Sequence, residues 1–133
     1  MKGFIYLASP YWHESESIRL SRVYQVRQKT AELLGQGFVV YSPILHNHQL
    51  AHMLPEAIRH SHDFWMGVDL PILSQASALW ILCIDGWQTS AGIAAEVVHA
   101  SNLALSILYL KEGVVSVDPA LRTNRYFLEQ AAP

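Results

Sequence analysis

Three short, continuous apolar runs punctuate the chain, at residues 4–8, 38–41 and 79–84, a fourth at 105–110 is broken only by Ser106, and stretches of helical spacing separate them. Runs that are apolar throughout, rather than at alternate positions, predict strands buried on both faces. Strand–helix alternation then predicts a parallel sheet with helices packed on each side. Right-handed crossovers leave few topologies for such a chain. The simplest is a doubly wound α/β sheet of four to five strands, order 2-1-3-4(-5), of the flavodoxin-like kind.

Local signals place the helices. Ser15 or Ser17 can cap a first helix running to about Leu34, with Gly35 and Gly37 as its stop. Ser42-Pro43 closes the second strand, and the polar, His-rich stretch 46–52 reads as a loop. Pro55 suits the first turn of a helix reaching about Gln75, with interruptions at Gly67 and Pro71. Ser90 caps a helix to Asn102, and residues 119–130 read as a terminal helix. No repeat, low-complexity tract or linker divides the 133 residues, so a single domain is expected over 1–133.

Composition narrows the classes of partner. A chain 51% hydrophobic and 15% charged can bury enough apolar surface to fold, which excludes intrinsic disorder. Nine Lys and Arg against eleven Asp and Glu leave a net charge of −2, so neither nucleic acid nor an acidic membrane surface is expected as a partner. Cys83 is the only cysteine and reads as a small buried hydrophobe. No apolar stretch approaches the roughly 20 residues of a membrane span, and the first residues lack a signal-peptide pattern. A cytoplasmic protein is expected.

The topology points to a site. In open α/β sheets, ligands bind beyond the carboxyl ends of the strands, where the strand order reverses. Two loops meet there, Ser9-Pro10-Tyr11-Trp12-His13 and Asp85-Gly86-Trp87-Gln88-Thr89-Ser90, both rich in aromatic and small polar side chains. Behind the second loop, Ser90 as N-cap places Gly92 in the first helical turn, whose N–H groups lack helical partners and can receive an anion or a sugar oxygen. Glu96 lies one turn deeper on the same face, and a glycine at 92 leaves room to reach it. The plainer alternative makes Gly92 a packing glycine and Glu96 a solvated helix residue. Arg19 and Arg22, three apart on the first helix, can point toward the same pocket or merely solvate their helix face.

Residues Ile5-Tyr6-Leu7-Ala8-Ser9-Pro10-Tyr11 resemble the Tyr-Leu-Ala-Gly-Pro-Phe opening of the nucleoside 2-deoxyribosyltransferases. Ser90-x-Gly92-x-x-x-Glu96 resembles their Asp-x-Gly-x-x-x-Glu motif, whose Glu is the nucleophile, and Asp69 stands where that superfamily carries an active-site Asp. Residues 86–96 are closer still to a branch of small proteins bearing Gly-Trp-x-x-Ser-Ala-Gly-Ile-x-x-Glu. One departure stands out: Ser90 replaces the motif's Asp, as in the related 2'-deoxynucleoside 5'-phosphate N-hydrolases, which bind phosphate nearby. A Ser with helix N–H groups accepts a phosphate that an Asp would repel.

The resemblance implies cleavage or transfer of the N-glycosidic bond of a (deoxy)nucleoside or (deoxy)nucleoside 5'-monophosphate, without a cofactor or metal. Glu96 would be the nucleophile, Asp69 would protonate or position the departing base, and Tyr6 would orient Glu96. Ser9, Pro10, Tyr11, Arg19, Arg22, His46, Trp87, Ser90 and Gly92 would contact the substrate. It also implies a homo-oligomer, which the low charge fraction favours independently, because apolar surface is left to cover. Two other readings remain: a non-catalytic nucleotide-binding module on the same fold, and a metal-dependent hydrolase. The second would use the histidines of His46-x-His48, His52 and His60-x-His62, although no zinc-ligand spacing matches.

Overall fold

The computed structural model describes residues 3–111. They form a four-stranded, wholly parallel sheet of order β2-β1-β3-β4, as expected for the first four strands. A fifth strand and the helix expected at 119–130 lie outside the described residues. The strands are β1 (Ile5–Ala8), β2 (Val40–Tyr41), β3 (Ala78–Cys83) and β4 (Ser106–Lys111). The helices are α1 (Glu16–Gly35), α2 (Pro43–Ala51), α3 (Glu56–Arg59), α4 (His62–Leu73) and α5 (Ala91–Asn102). Among these no helix is long and apolar enough to cross a membrane.

The alternation of side chains along β1 divides the core. Ile5 and Leu7 point to one face and pack with Val26 and Leu33 of α1, together with Phe38, Trp80, Leu82 and Leu108. Tyr6 and Ala8 point to the other, with Leu79 and Ile81 of β3, Leu73 of α4, and Ile93 and Ala100 of α5. Every side chain of β1 is fully buried. This is why its sequence carries no polar alternation, and it fixes Tyr6 on the face covered by α5.

Three local expectations are corrected. Residues 46–52 do not form a loop, because α2 runs from Pro43 through Ala51. Pro43 occupies the first helical turn, where its missing N–H costs nothing, and the Ser42 hydroxyl accepts from Leu45 N at 3.1 Å. The long helix after Pro55 is broken at His60-Ser61 rather than at Gly67 or Pro71. Ser61 starts α4 afresh by accepting from Phe64 N at 3.1 Å, and α4 then runs through both Gly67 and Pro71. The second strand shortens to two residues at the sheet edge. Elsewhere the caps fall as the sequence indicates, with Ser15 starting α1 and Ser90 starting α5.

Ser42→Ala removes the cap of α2 and strands the Leu45 N–H. It is expected to cost about 1 kcal/mol of stability, within the ~0.5–2 kcal/mol usual for such caps, as read from urea unfolding. A loss below roughly 0.3 kcal/mol would show that α2 owes its start to Pro43 alone.

Candidate active site

A cavity of about 1130 Å³ opens beyond the carboxyl ends of β1 and β3, lined by the loops that follow them and by α2 and α4. It exists because β1 and β3 are sheet neighbours whose chains leave in opposite directions, α1 to one face and α5 to the other. Glu96 reaches its wall from the second turn of α5 although only 4% of the residue is exposed. Tyr6, on the face of β1 toward α5, donates its hydroxyl to Glu96 Oε2 at 2.5 Å. Asp69, on the last turns of α4 and also 4% exposed, faces the same cavity. Its Oδ1 accepts from Asn47 Nδ2 at 2.8 Å, and Asn47 Oδ1 lies 2.8 Å from His46 Nδ1.

Electrostatics follow from this burial. Loss of solvent pushes the Glu96 carboxyl up to about 8; the Asp69 charge adds to the rise, and the Tyr6 hydrogen bond opposes it. Burial also raises Asp69, against the lowering effect of the Asn47 hydrogen bond and of His46. Burial first, then the charges of Glu96 and Asp69, lifts the Tyr6 hydroxyl far above the usual phenol range, so it remains a donor.

Arg22 joins the two loops. Its Nη1 donates to the carbonyl oxygens of Trp12 at 2.7 Å and Tyr11 at 3.4 Å. Its Nη2 lies where a side chain on Gly86 would begin. Gly86 has φ +98°, a left-handed conformation that favours glycine, so the loop after β3 can lie flat against the guanidinium. Among the described residues no carboxylate pairs with Arg22, since the one ion pair there joins Lys29 and Glu32. Arg19 Nη1 donates to the carbonyl oxygen of His13 at 2.6 Å, and its guanidinium stands 5.0 Å from the Trp12 ring centre.

The remaining sequence-predicted residues divide. Ser9, Pro10, Tyr11, Arg19, Arg22, Ser90 and Gly92 line the cavity. The Ser9 hydroxyl is buried and has no hydrogen-bond partner. Ser90 Oγ accepts from Ile93 N at 3.2 Å as the cap of α5. His46 stands behind Asn47, outside the lining, and His48 takes the place at the wall, 3.0 Å from the Tyr11 hydroxyl. Trp87 also lies outside the lining, its ring 5.4 Å from that of Tyr109, because the turn after β3 folds it back onto the sheet. Among the described residues no three His, Cys, Asp or Glu side chains come together as metal ligands. The histidines instead meet other groups: His60 packs against the Trp12 ring at 5.4 Å, and His99 lies 2.7 Å from the Ser74 hydroxyl. Asn47 escapes sequence reasoning because it lies in the segment expected to be a loop. The Ser42-Pro43 cap is the signal that could reveal it, since a helix starting there puts residue 47 one turn in.

The raised Glu96 carboxyl has a ligand-free consequence. Folding binds its proton more tightly than the unfolded chain does, so this stabilisation is full below the ordinary Glu value and fades as pH rises through about 8. Glu96→Gln cannot ionise and escapes the loss. Its melting temperature relative to the parent protein is expected to climb by roughly 5 °C or more between about pH 6 and pH 9. A difference independent of pH would show that Glu96 ionises as an ordinary carboxyl.

The fold is deoxyribosyltransferase-like. A solved structure of the 2-deoxyribosyltransferase from the psychrotolerant bacterium Bacillus psychrosaccharolyticus is similar over 94% of this chain and 85% of that one, with a TM-score of 0.55 and 23% sequence identity. No curated protein matches the chain. Residues 3–112 match the family described as a domain of unknown function, DUF1937. With most of its length covered by that match, the chain belongs to the DUF1937 family.

Proposed function

We propose that the protein cleaves or transfers the N-glycosidic bond of a (deoxy)nucleoside or its 5'-monophosphate, with Glu96 as nucleophile. The observation that carries this reading is a buried carboxyl on the cavity wall, gripped by Tyr6, with a second carboxyl, Asp69, facing the same space. Glu96, held through Oε2, attacks the anomeric carbon with its other oxygen. The carbon–nitrogen bond breaks through an oxocarbenium-like transition state, the electron pair leaves with the base, and Asp69 supplies the proton that neutralises it. Water, or a second base, then releases the sugar from Glu96.

A 5'-phosphate is favoured by three features of the cavity wall. Arg22 lacks a carboxylate partner, the buried Ser9 hydroxyl has no partner, and the first turn of α5 presents backbone N–H groups beside Ser90. At Gly92 a methyl group would meet only Met66 Cε at 3.7 Å and Ser90 Oγ at 3.8 Å, which is ordinary contact. Packing within the chain therefore does not demand a glycine there, and the space above it suits a ligand approaching Glu96. Tyr11 and Trp12 offer ring faces for the base. The fold it shares with a 2-deoxyribosyltransferase supports the same chemistry. One observation favours binding without catalysis as a second reading: with Glu96 pushed up to about 8, its attacking form is a minority at neutral pH.

Incubation with a panel of deoxynucleosides and their 5'-monophosphates, scored by chromatography for free base, separates the two. Base release is expected, falling by a factor on the order of 10³ or more in Glu96→Ala. Because Glu96 must be ionised while Asp69 still holds a proton, kcat/KM is expected to follow a bell in pH, falling on the acid side as one carboxyl is protonated and on the alkaline side as the other loses its proton. No release from any substrate supports the binding module, and release that survives Glu96→Ala overturns the nucleophile.

A further inference from the structure

Asp69 can serve as a proton donor only if its proton sits on the oxygen that faces the ligand. A carboxyl has two oxygens, and nothing in the residue itself selects between them. Here Oδ1 is occupied by the Asn47 amide at 2.8 Å, whereas Oδ2 makes no hydrogen bond to the protein among the described residues. The Asn47 side chain can present either its NH₂ or its oxygen, and His46 decides which. With His46 Nδ1 at 2.8 Å from Asn47 Oδ1, a ring N–H there holds the amide oxygen and turns the NH₂ toward Asp69. Both Asn47 and Asp69 are buried on the cavity wall, one from α2 and one from α4, so the bond is shielded from competing water.

We propose that Asn47, locked by His46, is a positioning residue that confines the Asp69 proton to Oδ2, the oxygen open to the cavity. The inference rests on the glycosidic reading above and deepens it. An NH₂ donor on Oδ1 is met better by a carbonyl oxygen than by a hydroxyl, so a protonated Asp69 carries its proton on Oδ2 in preference. When the glycosidic bond breaks, that proton passes from Oδ2 to the base nitrogen that receives the bonding pair, leaving Asp69 as a carboxylate. The same carboxylate then takes a proton from the incoming water. Without Asn47 the proton would divide between the oxygens, and Asp69 would turn freely. The other groups facing Asp69 do not duplicate the role. Glu96 of α5 and Tyr6 of β1 are bound to each other, and the Tyr41 hydroxyl at the end of β2 is buried with no partner. Asp69 raises all three through its charge, and no hydrogen bond joins it to any of them among the described residues.

Two measurements test it. In the first, Asp carboxyl carbons are labelled with carbon-13 and titrated by NMR without ligand. Asn47→Ala is expected to move the Asp69 midpoint upward, because the donor that favours its ionised form is lost; an unmoved midpoint overturns the inference whether or not the protein is an enzyme. In the second, turnover is compared on a deoxyguanosine substrate and on its N7-methylated counterpart, whose cationic base departs without needing a proton. Asn47→Ala is expected to slow the first by about 10²-fold in kcat, within the range for lost general-acid catalysis, and to leave the second within about threefold of the parent protein. His46→Ala, which frees the amide to turn but keeps it in place, is expected to show the same selectivity with a smaller loss. Equal slowing of both substrates, or of neither, overturns the inference while leaving Glu96 as nucleophile intact. Base release from neither substrate by the parent protein overturns the glycosidic reading itself.

Discussion

The hydrogen bond from Tyr6 to Glu96 joins the centre of the sheet to the helix that closes one of its faces. Everything around the site depends on it. Tyr6 is fixed by its place in a strand with no exposed residue, bonded on one side to β2 and on the other to β3. It therefore holds the Glu96 oxygen with the rigidity of the core rather than of a loop. The cost is borne by the carboxyl, which sits where solvent cannot support its charge. A protein selected only for stability would place an apolar side chain at that position. The proposed role as nucleophile accounts for a carboxyl at that position.

The cavity wall carries two kinds of group. Arg22, clamped between the loops after β1 and β3, the unpartnered Ser9 hydroxyl and the start of α5 supply a cation and donors. Glu96 and Asp69, each with its own donor in Tyr6 and Asn47, supply the carboxyls. The Gly86 conformation lets Arg22 sit where it does, since any side chain there would displace the guanidinium.

Much of this is legible in the order of the amino acids. The strand order follows from apolar runs and handedness, because a strand buried on both faces has few other ways to be written. Ser90, Gly92 and Glu96 are legible because helix periodicity is simple arithmetic once the cap is found. What escapes has physical causes. Segment 43–51 is polar and rich in histidine, so hydrophobic pattern cannot show that it is a helix; only its Ser-Pro start does. Asn47 is hidden with it. The sequence does not show which of His46 and His48 meets the cavity, because that depends on which side of α2 faces it; His48 lines the cavity and His46 stands behind Asn47. Trp87 lies in a short turn whose path no periodicity predicts, and that turn folds its ring onto Tyr109. Tertiary geometry, not residue type, decides such cases.

The central claim is that Glu96 forms a bond to the sugar. A nucleotide substrate whose 2' position carries fluorine slows release of the sugar from a carboxylate more than its capture, so the intermediate accumulates. Peptide mass spectrometry after such incubation is expected to find the mass of the fluorinated sugar on the peptide containing Glu96, and on no other. Free base released with no adduct on that peptide, or an adduct on a different residue, would contradict the account.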